Sequence, residues 1–392
     1  MATTVLSGSP QAATPVYNKM LFKVSGSLIA QPNYRYVCDV KNPAGTTLAR
    51  LKCDKLPSTN FGFFDVAKVV ETLITPTKPS LTQTGFVDHA GYYSGYRLDF
   101  MEEYGNTPAV QTGTVTTVSG VMAFAANLEQ LEFQSWTLTP YFRINQTFNS
   151  VKPLTTPAAF TVYHGGKAWL AINATKFTAV SANDTYLVSG RVAYKGVNYD
   201  IAVSPSLSGT TDFNIQRFGC GPAQLSGTIA ALSGAVEGDS YTVQFLANQG
   251  LGSVITTFTF GPCERFNSIP VHFQNKYGGI DSYTFTLKNR KRANISRQTF
   301  GYNSDVYATT TYDKVWAGDF DYVYALNSDW LTDAESAWLI EMVRSGQVWL
   351  ELDGQLVEAI VNANTYQFTT RRNDRLTQLQ VEVAVAYKNN IL

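Results

Sequence analysis

At 392 residues, with 30 Lys and Arg balanced by 30 Asp and Glu, the chain is longer than a single domain usually is and carries no net charge to attract a polyanion. Charged residues make up 15% of it, against roughly a quarter in typical globular domains, so its polarity rests on Thr, Ser, Asn, Gln and Gly. These figures argue against a nucleic-acid or anionic-membrane binder, which draws affinity from a basic excess, while the 22 Tyr and 23 Phe point to sheets.

Met1 to Pro15 is small and polar, with no cationic segment leading into an apolar one, so no secretory signal is expected. No apolar run approaches the ~20 residues of a membrane-spanning helix, and the chain is expected to be soluble. Residues 1–105 read as an N-terminal β-sandwich with a short helix. Tyr17 to Ile29 and Tyr34 to Val40 are expected strands, and Thr46 to Cys53 returns after a turn at Asn42-Pro43-Ala44-Gly45. Val66, Val69, Val70 and Leu73 then follow at helical spacing behind Asp65 as N-cap, and Tyr92 to Tyr104 resumes a strand.

Residues 106–158 are rich in Thr, Pro and Gly around one apolar segment, Val121 to Phe133, whose Ala, Leu and Glu content suits a helix; the passage reads as a linker or insertion. Residues 159–262 carry short strands between regular turn signals, such as Gly165-Gly166 and Glu237-Gly238-Asp239, and read as a β-sandwich or barrel-like domain. Residues 263–392 read as a C-terminal α+β domain. Within it, Thr332-Asp-Ala-Glu335 is a capping box, Ala334, Trp338 and Met342 form a stripe, Asp353-Gly354 marks a hairpin, and Leu379 to Tyr387 alternates as a half-buried strand. The expected fold is therefore mainly β, with two sandwich-like domains followed by an α+β domain carrying one well-capped helix.

Chemistry is sparse. The three histidines, His89, His164 and His272, lie apart without metal-ligand spacing, and His272 sits in an apolar run that suits a packed core residue. Cys38, Cys53, Cys220 and Cys263 form no CxxC; Cys38 and Cys53 face one another across a hairpin closely enough that a bridge is conceivable. No phosphate loop is present, because Thr161 stands where the glycine ahead of Gly166-Lys167 belongs, and no nucleophile elbow occurs. Glu102-Glu103, Glu129/Glu132, Asp319/Asp321 and Glu335/Glu341 are the carboxylate pairs a glycosidase would need, each also explained as solvated surface. No catalytic, metal or cofactor site is expected, and the chain is not expected to be an enzyme.

Two basic clusters at expected turns, Lys288, Arg290, Lys291 and Arg292, then Arg371, Arg372 and Arg375, are candidate contacts with an acidic subunit or with nucleic acid, unless they are solvated loop tips. Tyr92, Tyr93 and Tyr96 are candidate sugar-stacking aromatics, as are Trp316, Phe320, Tyr322 and Tyr324; packing on a facing sheet is the plainer reading.

Val271-His-Phe-Gln-Asn-Lys-Tyr-Gly-Gly-Ile-Asp-Ser-Tyr-Thr-Phe285, Asn327-Ser-Asp-Trp-Leu-Thr-Asp-Ala-Glu-Ser-Ala-Trp-Leu339, and Thr370 to Leu376 through Ala386 to Asn390 occur in this order. Together with Tyr34 to Tyr36, Leu51 and Phe64-Asp-Val66, they resemble uncharacterised tail or virion structural proteins of phages and prophages of Bacteroidetes-type bacteria. The Thr- and Gly-rich middle is unmatched. The resemblance implies a virion component, made in the host cytoplasm, with a tail, tail-hub or baseplate position favoured over a capsid or spike. The implied partners are further copies of the chain and other virion proteins, with a host-surface glycan as an alternative ligand. Neither a membrane nor nucleic acid is an expected partner.

Overall fold

The computed structural model describes residues 4–5, 13–137, 139–141, 151–173, 188–203, 214–247, 252–262, 266–302, 312–362, 376–387 and 389–390. They are mainly β, in layered sheets. The first layer is a five-stranded sheet ordered Ala13–Pro15, Ala109–Phe124, Tyr93–Tyr104, Arg35–Lys41 and Thr47–Asp54. A small sheet of Thr4–Val5, Leu21–Ser25 and Gly62–Asp65 covers its inner face. Phe100 from the large sheet meets Phe22 and Phe64 from the small one, each at 5.9 Å between ring centroids, so aromatic side chains join the two layers.

The second sandwich sets Ala159–Val162, Thr256–Phe260, Ser240–Ala247, Val188–Tyr194 and Val197–Val203 against a three-stranded sheet of Trp169–Asn173, Ile215–Gly219 and Gly85–Asp88. Phe218 and Phe86 of the smaller sheet pack on Phe245 of the larger at 5.6 Å and 5.7 Å. Gly85–Asp88 comes from the N-terminal stretch, so this sandwich takes one strand from outside its expected boundaries. Likewise, Trp169, Ile280, Trp349 and Leu356 are buried with the N-terminal core, and the second sandwich shares one continuous core with the C-terminal sheet. The layers therefore interlock across the boundaries expected at 105, 158 and 262.

The C-terminal sheet runs Ile280–Phe285, Ile269–Gln274, Val348–Leu352, Gln355–Val361, Gln380–Val385, Tyr312–Asn327 and Arg290–Tyr302, with Asn389–Asn390 touching Asp319 and Phe320. Asp353 and Gly354, at φ 48° and 73°, make the tight turn in which both central residues need positive φ. Helix Asp333–Arg344 lays Trp338, Leu339 and Met342 on the core. Its capping box is formed as expected: Thr332 Oγ1 accepts the Glu335 N–H at 3.3 Å, and Glu335 Oε2 accepts the Thr332 N–H at 2.9 Å. Thr332→Ala is expected to lower the unfolding free energy by about 1 kcal/mol, measured as a lower urea midpoint at unchanged slope.

Two local expectations change. Val121 to Phe133 is not one helix: the strand Ala109–Phe124 continues through Val121 and Met122, paired with Tyr96 and Gly95, and only Gln130–Ser135 is helical. Pairing along a twelve-residue neighbour, Tyr93–Tyr104, outweighs the helix propensity of the alanines, which are buried instead. Tyr17 to Ile29 contains only the strand Leu21–Ser25. Ahead of it, Asn18 breaks the extended run by exchanging two 2.9 Å hydrogen bonds with the Leu128 backbone. The short helix is Ala67–Val70, and Asp65 stands one residue before its N-cap Val66, accepting the Ala67 N–H at 3.2 Å. Cys38 and Cys53 are free thiols. The hairpin pairs Cys38 with Leu51 and Cys53 with Tyr36, a diagonal offset of roughly 7–8 Å that exceeds disulfide reach.

Candidate functional site

The basic cluster at 288–292 opens a strand instead of capping a turn: only Lys288 and Asn289 lie in the turn, and Arg290 begins the edge strand Arg290–Tyr302. Alternation then divides the cations between faces. Lys291 Nζ sits 3.7 Å from the Tyr322 ring centroid, and Arg292 bonds Glu382 at 3.0 Å on the other face. Lys288, Arg290 and Arg292 line a groove of about 430 Å³ together with Phe266, Asn327 and Gln380. With Lys291 and Arg292 already engaged, two free cations remain, which is thin for a phosphate backbone. Arg371, Arg372 and Arg375 lie outside the described residues.

The tyrosine platform is not formed. Tyr92 is fully buried, stacked on His89 at 3.7 Å with its hydroxyl on the Thr77 carbonyl, and Tyr96 is buried in the same core. Both point into the sandwich because the strand's inner face needs large apolar bodies; only Tyr93 is partly accessible, donating to Asp88 at 2.8 Å. In the other aromatic group, Tyr324 is buried and Trp316 is 67% exposed.

The buried histidines are structural partners. His89 Nε2 donates to the Gly278 carbonyl at 3.0 Å, leaving Nδ1 to accept from Arg217 at 3.4 Å. Burial, with Arg217 adding to it, pushes the imidazole down to about 3, so His89 is neutral. Arg217 itself is 6% exposed, donates to Gln83 at 2.9 Å, and faces no carboxylate in any described ion pair. Arg217→Met is expected to leave stability within about 1 kcal/mol of wild type, because relief of an uncompensated buried charge offsets two lost hydrogen bonds. The same change is expected to raise the His89 pKa, followed by NMR titration.

His272 forms the more suggestive array: Nδ1 is 2.8 Å from Ser282 Oγ, and Nε2 is 3.4 Å from Glu351 Oε2, while Glu351 Oε1 binds Lys167. A serine, a histidine and an acid in line is the order of a nucleophilic triad. The space beside Ser282 measures only about 10 Å³, room for at most one water. Across the strands, His272 and Ser282 are register partners, and the Trp169 ring lies edge-on to the imidazole at 5.0 Å. The array ties three strands to the facing layer.

Two of the carboxylate pairs read from the sequence, Glu102/Glu103 and Glu129/Glu132, are taken up by neighbouring side chains, whereas Asp321 Oδ1 is buried with no hydrogen-bond partner among the described residues. Tyr34 donates to Glu102, Lys52 pairs with Glu103, Arg344 with Glu129, and Lys276 and the Tyr277 hydroxyl with Glu132. The notable acid is one the sequence did not single out. Asp281 is fully buried at the meeting of three segments, accepting from Thr155 at 2.9 Å, Asn275 at 2.9 Å and the Trp338 indole at 2.8 Å. Glu341 lies in the same cluster, held by Thr156 at 2.5 Å and the Lys276 N–H at 3.1 Å. Burial, reinforced by Glu341, pushes Asp281 up to about 7, and burial raises Glu341 as well. An acid within the strand Ile280–Phe285 was the available signal, but two of its three donors are 126 and 57 residues away.

Two larger grooves lie among the described residues. One, of about 490 Å³, is lined by Lys68, Glu71, Lys276, Glu341 and Arg344, whose charges pair among themselves or with Glu129 and Glu132. The other, of about 570 Å³, is lined by the apolar Tyr163, Val236, Pro262 and Pro270 together with His164, Glu237, Glu351 and Asp353. Among the described residues no group of three or more His, Cys, Asp and Glu could hold a metal ion, and no helix is long and apolar enough to cross a membrane.

The ribbon of Arg290–Tyr302 and Tyr312–Asn327 runs beyond the end of its neighbouring strand Gln380–Val385. Every residue from 291 to 301 is exposed, and Ile295, Phe300, Val315 and Trp316 present apolar surface to solvent at 43–67% exposure. Beyond the contact with Asn389–Asn390 at Asp319, the two strands pair with no further strand among the described residues.

No family model matches the chain, and no curated protein matches it. Among solved structures it is similar to fibronectin(III)-like modules of Clostridium thermocellum CbhA, at 8% identity over 66% of this chain and 93% of that chain, with a TM-score of 0.16. A likeness at that score bears on neither the fold nor the function of this chain.

Proposed function

We propose that this chain is a structural subunit of a virion, a phage tail, tail-hub or baseplate component that closes into a symmetric ring through contacts between copies. The observation that carries the reading is the ribbon. An isolated two-stranded β-ribbon is marginal in water, and this one extends past its sheet with exposed apolar residues and an outer edge that pairs with no strand among the described residues. A neighbouring surface supplies what the single copy lacks. The zero net charge imposes no overall repulsion between copies, and the interlocked layers make a rigid body from which such an arm can act. The resemblance of the 271–285 and 327–339 segments to phage virion proteins supports the same assignment.

Light scattering and negative-stain imaging of the purified protein test the assembly, and locating the chain in purified particles tests the virion. A ring-sized oligomer and a place in the particle are the expected results. A species that stays monomeric on concentration and is missing from particles overturns the proposal.

A further inference from the structure

The 490 Å³ groove lies where the first sandwich meets the C-terminal sheet and its helix. Tyr17 and the helix Ala67–Val70 come from the sandwich, Asn127 follows the long strand Ala109–Phe124, and Gln274, Lys276, Arg344 and Gln347 come from the C-terminal part. Junctions of this kind are common seats for small ligands, and the volume falls within their range. Backbone hydrogen bonds tie the walls together: the Asn127 N–H donates to the Lys276 carbonyl at 2.9 Å, and the Gln274 N–H to the Gln347 carbonyl at 3.0 Å. The stretch after the helix is closed by Ser345, whose hydroxyl donates to the Gln347 carbonyl at 2.9 Å and accepts the Gln347 N–H at 3.2 Å. A recess held in this way needs little ordering when it is filled.

The lining selects a neutral ligand. Lys68 pairs with Glu71 at 2.8 Å, Arg344 with Glu129 at 2.7 Å, and Lys276 with Glu132 at 3.1 Å and Glu341 at 4.0 Å, so an ion entering the groove would have to displace a charge already in place. By contrast, the 570 Å³ groove leaves Glu237 and Asp353 without ion-pair partners among the described residues, and the groove beside Arg290 is cationic. Each ion pair keeps spare N–H donors and spare lone pairs side by side, and a hydroxyl, which donates and accepts at one atom, can use both. The side-chain amides of Asn127 and Gln347 offer the same combination and have no hydrogen-bond partner among the described residues. Tyr17, exposed in the same groove, adds an aromatic ring, whose negative face attracts polarised C–H bonds.

We propose that this groove binds a neutral saccharide, with Tyr17 against the C–H face of one sugar ring and with Asn127, Gln347 and the paired charges on its hydroxyls. The sugar supplies the two things the lining asks for, an apolar ring face and a set of uncharged groups that each donate and accept. The site is separate from the assembly surface, since no residue of the ribbon lines it.

Gly346 offers a way to block the groove without disturbing the fold: a Cβ added there meets nothing within 4 Å, and its φ is not positive, so Gly346→Trp places a large side chain at the recess without backbone strain. The full chain is titrated by isothermal calorimetry with neutral trisaccharides of glucose, galactose, mannose and N-acetylglucosamine, and with a sialylated trisaccharide as the charged comparison. At least one neutral sugar is expected to bind with a dissociation constant below about 1 mM, weakened about 10-fold or more by Tyr17→Ala and by Gln347→Ala, and to be lost in Gly346→Trp at an unchanged urea midpoint. A wild type that binds no neutral sugar, or only the charged one, overturns the proposal. So does binding that survives Gly346→Trp, or that ignores both Tyr17→Ala and Gln347→Ala. The oligomeric state is read separately, so either reading can fail while the other stands.

Discussion

Asp281→Ala is expected to destabilise the protein by about 3–5 kcal/mol, the largest effect of any single substitution considered. Burial already raises the cost of this carboxylate, yet its removal orphans donors that have nowhere else to turn. The Trp338 indole N–H is buried against the C-terminal sheet and Thr155 is part-buried, whereas Asn275 retains a second bond to the Leu154 carbonyl at 2.8 Å. The segment beginning at Val151, the turn at 275–279 and the long helix all converge on this side chain, so the loss falls on their mutual docking. Asp281→Asn keeps the volume and one acceptor and is expected to cost less than half as much. Urea unfolding of both variants checks the order; equal losses would mean that volume, not the three donors, sets the effect.

Between about pH 4 and 7 the stability of the wild-type protein is expected to change little, because buried groups of opposite sign titrate across the same window. Asp281 is raised from an ordinary 3.8 to about 7, so it binds a proton in the folded state that the unfolded chain has released. Its stabilising share is complete below about pH 4 and is lost as the pH rises to about 7; Glu341 acts in the same direction. His89 and His272 are lowered from an ordinary 6.5, chiefly by burial, so their share is complete above 6.5 and is lost as the pH falls. Each fully differential proton corresponds to about 1.4 kcal/mol per pH unit, and the slopes oppose one another. Asp281→Asn is therefore expected to leave stability that rises with pH, and His89→Gln stability that falls with pH. Denaturant midpoints across the window read both slopes, and parallel profiles in the two variants would overturn the offset.

The parts of this fold legible in the sequence are those whose cause is local. The hairpin at Asn42 to Gly45 is closed by Asn42 itself, whose side chain accepts the Thr46 N–H at 2.8 Å, and the Asp353-Gly354 turn and the Thr332 capping box are equally self-contained. The alternation of Gln380–Val385 survives because one of its faces is buried. Parts decided by distant partners were not legible. Gly85–Asp88 carries no mark that it belongs beside Ile215–Gly219, and the strand character of Val121 and Met122 comes from Tyr96 and Gly95. The same holds for the candidate sites. Tyr92 and Tyr96 look alike whether they face solvent or core, and the 570 Å³ groove is gathered from Tyr163, Val236, Pro262 and Pro270, which no motif connects. The basic residues at 288–292 were visible as charge, but the rings and carboxylate that absorb two of them lie in other strands.

The burial of Trp349 and Leu356 in the N-terminal core also orders events during synthesis. The other strands of the first sandwich end at Phe124, but two side chains that complete its packing are made more than two hundred residues later. At 5–20 residues per second, Trp349 follows Phe124 by about 11 to 45 s. Throughout that interval the nascent sandwich presents apolar surface around Trp169, a place for a holding chaperone, and its final closure waits for Trp349. A product truncated before Trp349 keeps that surface exposed and is subject to triage by proteases, so the packing of the first sandwich is completed only once the third sheet is being made.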